Sequence, residues 1–376
     1  MGENREKYRD IKKYNRVKIL VSVVSIIFVI GFLIAVLFSG FSLYLEQKVK
    51  IVTGHQYLAM LIFVYLLMAV GGILTLPLEF YSTYITEHRY GLSNQRLIQW
   101  MLNKLKEISI GVVIFTPLLI LFYYFIRKFP VNWWIPLGAA YFLFSVILAK
   151  LGHIIILPIF YKLERLSDES LKESLKRLAD EVGLKVSDVY TFNLSKETKK
   201  ANAAFAGFGR TKRIILSDTL LQNFSPQEIE AVVAHEVGHY RRGHIWKELS
   251  AGFVLTFGGL FVASRLFRLS MGYFGGSDGY ELSVLPLLAL YLVVFGIVTM
   301  PVMNMISRIF ERQADSFVAS IKTLIGPYIT ALERLGEMNK ADREPNPVIE
   351  LLFYTHPSIG RRIDYLRGKL EDVRIG

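Results

Sequence analysis

Long apolar runs decide what this 376-residue chain can fold into. A helix needs about 20 apolar residues to cross a hydrocarbon core of about 30 Å. Six stretches reach or approach that length, over residues 19–44, 56–78, 109–126, 131–160, 249–264 and 282–306. In lipid every backbone N–H and C=O must be satisfied within the segment, so such runs are helices. Charged residues make up 20% of the chain, against about a quarter in soluble domains. The expected fold class is a mainly α membrane protein with about six transmembrane helices.

Seven basic residues, from Arg5 to Lys18, precede the first run. That run is too long for a signal peptide and lacks a small-residue cleavage site, so it reads as an anchor. Orientation follows from basic residues beside the spans. The connection 79–108 carries Arg89, Arg96, Lys104 and Lys106; the outer connections carry Lys48 with Lys50, Arg127 with Lys128, and none in 271–281, with Arg265 and Arg268 at the outer end of the fifth run. The expectation is a multi-pass protein with both termini in the cytoplasm and membrane lipid as an obligatory neighbour. The same bias accounts for the net charge of +12; no nucleic-acid recognition motif accompanies it, and no nucleic-acid partner is expected. With no cysteine in the chain, disulfides, thiolate metal sites and a cysteine nucleophile are excluded.

Residues 161–248 and 308–376 are mixed and charged, unlike the runs around them. Six crossings put both on one side, where they can form a single domain. Short strands are expected over 188–194 and 213–217, with the small-residue stretch Ala201–Gly209 between them. Ser225-Pro226-Gln227-Glu228 then reads as a helix start. Ser caps, Pro suits the first turn, and Glu reaches back to the capping backbone.

On that helix His235 and His239 stand four residues apart, so both imidazoles project from one face and can hold one metal ion. Glu236 is placed to polarise a water and take its proton. One Zn2+ per chain is the expected ion, since it accepts nitrogen and oxygen ligands and keeps a position open. The polar run Tyr240–His244 follows the motif directly, which argues against histidines set inside an apolar span. The need for Glu236 between two ligands argues against a transporter or a scaffold.

The third ligand is sought among the acids that follow. Arg242 and Ile245 stand where a metzincin would have glycine and histidine. Glu248 lies nine residues beyond His239, about 180° away on a continuous helix. Asp278 and Glu281 fall in the loop across the membrane. Glu311 and Asp315 come directly after the sixth run, four apart again, so Glu311 is expected as the third ligand. Asp315 is expected to orient a metal-bound histidine. His244, five residues after His239, reads as a solvated or carbonyl-bonded residue, and Lys150 with His153 as chamber-lining or snorkelling groups.

The residues now match a known pattern. The chain resembles the integral-membrane zinc metallopeptidases that include the type I CAAX prenyl endopeptidases, with HtpX-type proteases as more distant kin. The resemblance rests on Glu87–Ser93, Asn202–Gly209, Lys212–Leu221, His235–His239, Ser307–Asp315 and His356-Pro357-Ser358 followed by Arg362-Ile363. It implies zinc ligation by His235, His239 and Glu311, Glu236 as catalytic base, and Asp315 as a supporting or proton-donating acid. It implies that Asn202, Ala203, Ala204 and Phe205 lie on an edge strand to which an extended peptide adds. It implies that His356 and Arg362 approach the scissile carbonyl and stabilise its oxyanion. It also implies spans enclosing a water-filled chamber and a cytoplasmic gluzincin-type α+β domain split by a transmembrane hairpin. The expected division is 1–160, transmembrane with about four spans; 161–248, first part of the catalytic domain; 249–307, hairpin; 308–376, second part. The partner is a peptide or protein, prenylated or membrane-associated, and membrane-protein quality control is the alternative role.

Overall fold

A computed structural model describes residues 2–207 and 212–375, without the side chains of residues 2–7, Lys150, His153 and 373–375. The expectations for Lys150 and His153, and for Phe208 and Gly209, therefore fall outside the described residues. Among the described residues, five helices are long and apolar enough to cross a membrane: Tyr8–Phe38, Gln56–Arg89, Leu97–Lys128, His244–Phe274 and Leu282–Ser320. Two further apolar helices, Trp134–Ala149 and Ile154–Phe160, meet at 55° and, taken as one bent span between the third and fourth of these, bring the crossings to six. Ile27, Val113, Leu143, Val254 and Val298 stand exposed on these helices, a surface that only lipid can cover without aggregation.

The first span differs from the expected 19–44. Its helix ends at Phe38, the chain turns through Gly40 with φ 72°, and a separate 12-residue helix runs Phe41–Val52. That short helix ties one end of the bundle together. Ser42 Oγ donates to the Ser283 carbonyl at 2.5 Å, and Ser283 N–H donates to Glu46 at 2.9 Å. Met60, Phe63, Ile126, Phe267 and Val284 pack the core at this end.

At the other end lies a four-stranded sheet: β1 (Leu163–Arg165), β2 (Asp188–Phe192), β3 (Ala203–Ala206) and β4 (Arg213–Ser217). The spatial order is β1-β2-β4-β3, with β2 parallel to β4 and both outer pairs antiparallel. Strands at 188–192 and 213–217 match expectation; β1 has only three residues and no alternating pattern to reveal it. β3 is an edge. Asn202 accepts from Ser217 N–H at 2.9 Å, so by antiparallel alternation the N–H and C=O of Ala203 and Phe205 face the open side.

The helix Pro226–Arg241 packs beneath this sheet, with Ile229, Val233 and Val237 joining Val189, Ile214 and Leu216 in one core. Its start is as expected. Ser225 Oγ accepts from Glu228 N–H at 3.3 Å, and Glu228 Oε2 accepts from Ser225 N–H at 2.7 Å. On its other side Ala231 and Ala234 meet Val318, Tyr328, Leu332 and Ile363.

Candidate metal centre

Two helices bring the site together. Leu285–Ser320 runs unbroken for 36 residues, so the sixth span itself carries Glu311 and Asp315. It lies close against Pro226–Arg241 because position 238 has no side chain. A Cβ on Gly238 would meet Phe317 at 3.0 Å and the Ala314 Cα at 3.3 Å. The glycine between Val237 and His239 is thus what lets the helices that carry His235, His239 and Glu311 approach.

His235, His239 and Glu311 each offer a ligand atom within 4.8 Å of the others. His235 Nε2 lies 3.1 Å from His239 Nε2 and 3.2 Å from Glu311 Oε2, and His239 Nε2 lies 3.2 Å from Glu311 Oε1. Glu311 Oε2 is buried with no hydrogen-bond partner. A buried carboxylate oxygen in that state carries the full cost of desolvation, and the Nε2 atoms of both histidines lie close to the same carboxylate. The donor set, two imidazoles and one carboxylate with room for a fourth ligand, fits a catalytic zinc site.

Each histidine is held by its other nitrogen. His235 Nδ1 lies 3.0 Å from Asp315 Oδ1, so Nδ1 carries the proton and Nε2 keeps its lone pair for the metal. Asp315 is fixed in turn by Arg362, whose Nε and Nη2 donate to it at 2.9 and 2.8 Å, and by Tyr328 Oη at 2.9 Å. Burial opposes a second proton on His235, but the neighbouring Asp315 and Glu311 carboxylates outweigh it and push the metal-free imidazole up to about 9. Burial also pushes the Glu236 carboxyl up, with His235 and His239 working against it. A raised carboxyl is what a general base near neutral pH requires.

His244 departs from expectation. It is buried, and its Nδ1 lies 3.0 Å from His239 Nδ1 while its Nε2 lies 2.9 Å from Gln313 Oε1. Its ring stacks on Phe310 at 4.4 Å. The bend responsible is at Gly243, whose φ of 65° ends one helix and starts the next. This left-handed turn folds His244 back beneath His239. The same turn removes the continuous helix on which the 180° placement of Glu248 rested. His244 and Gln313 thus support His239 as Asp315 and Arg362 support His235, a contact that residue spacing does not reveal.

The remaining expected residues converge unequally. His356 Nε2 lies 3.2 Å from Glu311 Oε1, and its side chain is 58% exposed to the cleft. Arg362 is 10% exposed and its Nε and Nη2 are committed to Asp315 and Tyr328, with Nη1 3.7 Å from Glu311. Its guanidinium therefore braces Asp315, and with His356 it lines one open cleft. Asn202, Ala203, Ala204 and Phe205 lead into and form β3, which runs beside the histidine helix: the Phe205 and Tyr240 rings are 5.0 Å apart.

Comparison with known proteins agrees with this arrangement. Residues 165–370 match the model of peptidase family M48, and residues 3–162 match a family described as CAAX prenyl protease N-terminal, five membrane helices. In this chain that N-terminal stretch holds four of the spans above and the short helix Phe41–Val52. The chain is 27% identical over 333 residues to an uncharacterized metalloprotease, YhfN, of Bacillus subtilis, covering 88% of this chain and 78% of that one. It is 28% identical over 330 residues to CAAX prenyl protease 1 of Saccharomyces cerevisiae, covering 82% and 73%. The crystal structure of S. mikatae Ste24p superposes with a TM-score of 0.86 at 25% identity, covering 96% of this chain and 89% of that one. Fold and site together define a multi-pass integral-membrane metallopeptidase. The chain belongs to peptidase family M48. Within it the relatives favour the CAAX prenyl protease type over the HtpX-type alternative.

Proposed function

We propose that this chain is a zinc endopeptidase that cleaves extended, membrane-associated peptides laid along β3. The observation that carries the reading is the buried Glu311 oxygen with no hydrogen-bond partner, facing two histidine nitrogens. His235, His239 and Glu311 would hold Zn2+, which when bound supplies Lewis acidity toward the scissile carbonyl and the attacking water. Glu236 takes the water proton and returns it to the leaving amine. Asp315, Arg362 and Tyr328 hold the His235 tautomer, and His356, open to the cleft, donates to the developing oxyanion. The outward N–H and C=O groups of Ala203 and Phe205 pair with the substrate backbone.

The names of the relatives, CAAX prenyl protease 1 among them, support a lipidated C-terminal peptide as substrate. The basic connection 79–108 supports cytoplasmic termini and a cytoplasmic catalytic domain split by the hairpin 249–307. The test is purified protein assayed for bound zinc and for cleavage of farnesylated and unmodified forms of one peptide. The reading expects stoichiometric zinc and a higher kcat/KM for the farnesylated form. Equal rates would remove the lipid preference, and absence of zinc would remove the mechanism. Because the chain has no cysteine, single introduced cysteines labelled from one side of a vesicle would test the orientation.

A further inference from the structure

The segment Glu87–Ser93 takes no part in the metal centre, yet its side chains and backbone are heavily engaged. Glu87 is a buried carboxylate with three donors from two parts of the chain. Tyr14 Oη donates to it at 2.7 Å, Lys18 Nζ at 3.0 Å and Lys200 Nζ at 2.9 Å. A buried charge this fully paired is a specificity device more than a source of stability. What it specifies is shown by where the partners lie. Tyr14 and Lys18 are one turn apart on the first helix, and Lys200 stands three residues before β3.

The backbone around Glu87 grips the same lead-in. The Leu92 carbonyl accepts from Lys199 N–H and from Thr198 Oγ1, both at 2.9 Å, and Asn94 N–H donates to the Glu197 carbonyl at 2.9 Å. From the other side, Asn339 Oδ1 accepts from Ala201 N–H at 3.1 Å. The next residue, Lys340, is the one non-glycine with positive φ among the described residues, at 53°. Asn15 of the first helix donates to its carbonyl at 2.7 Å. One turn of the N-terminal helix therefore reaches the start of β3 twice, through Glu87–Lys200 and through Lys340 beside Asn339.

An edge strand has a sheet neighbour on one side only, so its position depends on how its ends are held. We infer that the first helix and Glu87 form the mount of the substrate strand, with Glu87 and Lys200 as positioning residues for peptide binding. The inference rests on the reading of β3 as the peptide-binding strand. It gives the N-terminal helix a task beyond anchoring: the register of β3 against the metal centre is set from inside the membrane region.

The test uses the full-length protein and an internally quenched, unmodified peptide, with KM, kcat, bound zinc and hydrogen exchange measured together. Lys200→Met keeps the stem and removes the charge. It is expected to raise KM about tenfold, as loss of one charged hydrogen bond would, and to speed exchange at 201–206 with kcat and zinc unchanged. Glu87→Gln should act in the same direction, and the double variant should be no worse than the stronger single one. Should Glu87→Gln fail to fold, Lys200→Met, whose side chain is partly exposed, carries the test alone. Unchanged KM and exchange in zinc-loaded Lys200→Met would overturn the inference. Ala203→Pro separates this from the reading beneath it, because it removes an outward N–H while sparing the sheet. If Ala203→Pro leaves KM unchanged, the strand is not where peptide binds; if it raises KM while Lys200→Met does not, only the mount is refuted.

Discussion

Glu311 and Glu281 are both engaged carboxylates near the ends of the same long helix, and their surroundings are opposite. Glu281 is saturated: its oxygens accept from the N–H groups of Ser277, Asp278 and Gly279 at 2.8, 3.0 and 2.9 Å and from Ser277 Oγ at 2.6 Å. Burial works against its charge, but those donors bring its carboxyl down to about 2. Glu311 instead faces two imidazole nitrogens, either of which can act as an acceptor, and one of its oxygens has no hydrogen-bond partner. Donors around a carboxylate close a turn; acceptors around a carboxylate call for a cation. Composition treats the two glutamates alike, and only the company they keep separates a loop staple from a candidate metal ligand.

The comparison breaks first at Glu311 itself. Glu311→Ala is expected to abolish bound zinc and peptide cleavage, whereas Glu281→Ala should keep both and lose only thermal stability; metal analysis of the two purified variants decides it. Zinc at unchanged affinity in Glu311→Ala would end the ligand assignment. Next, Glu236→Gln should retain zinc and lower kcat about 10³-fold, within the range for a missing general base. A smaller effect is expected one layer out. His244→Phe keeps the stack on Phe310 but removes the contact to His239, and zinc affinity should fall about 10- to 100-fold. Competition with a chelator reads this without reference to activity.

Acid sharpens the same contrast. The metal-free His235 holds a proton up to about pH 9, so metal must displace that proton to bind. Apparent zinc affinity should therefore fall about tenfold per pH unit below that value, while Glu281, already ionised above about pH 2, contributes no such dependence. Zinc titrations at pH 6, 7 and 8 would show it; a flat profile would mean that Asp315 and Glu311 do not raise His235. The smallest expected change is at the helix start. Ser225→Ala should cost about 1 kcal/mol of stability, visible as a lower melting temperature with zinc retained.

Much of this site could be read before the fold, and the reasons are local. Two histidines four apart need only a helix, and the cap at Ser225 announced one. Glu311 could be reached by elimination because membrane crossings restrict which acids share a side. What could not be read depends on single backbone turns. Gly243 redirects the chain so that His244 returns to His239, and no periodicity survives such a bend. Gly40 divides an apolar run that composition alone reads as continuous. The three residues of β1 are recognisable only from the strand they pair with. The bracing of Asp315 by Arg362 and Tyr328 joins side chains 47 and 13 positions away, a distance at which spacing carries no signal.

The unbroken helix Leu285–Ser320 has a mechanical corollary. At 1.5 Å per residue, Glu311 sits roughly 39 Å along it from Leu285. Pivoted at that far end, a tilt of about 1° would carry Glu311 sideways by roughly 0.7 Å, well beyond the ±0.2 Å or so that metal–ligand distances tolerate. Packing against neighbouring helices sets helix tilt, and here Phe317 and Ala314 lie against Gly238 beside the site. That contact is the clamp on a lever that reaches from one end of the helix bundle to the candidate metal centre.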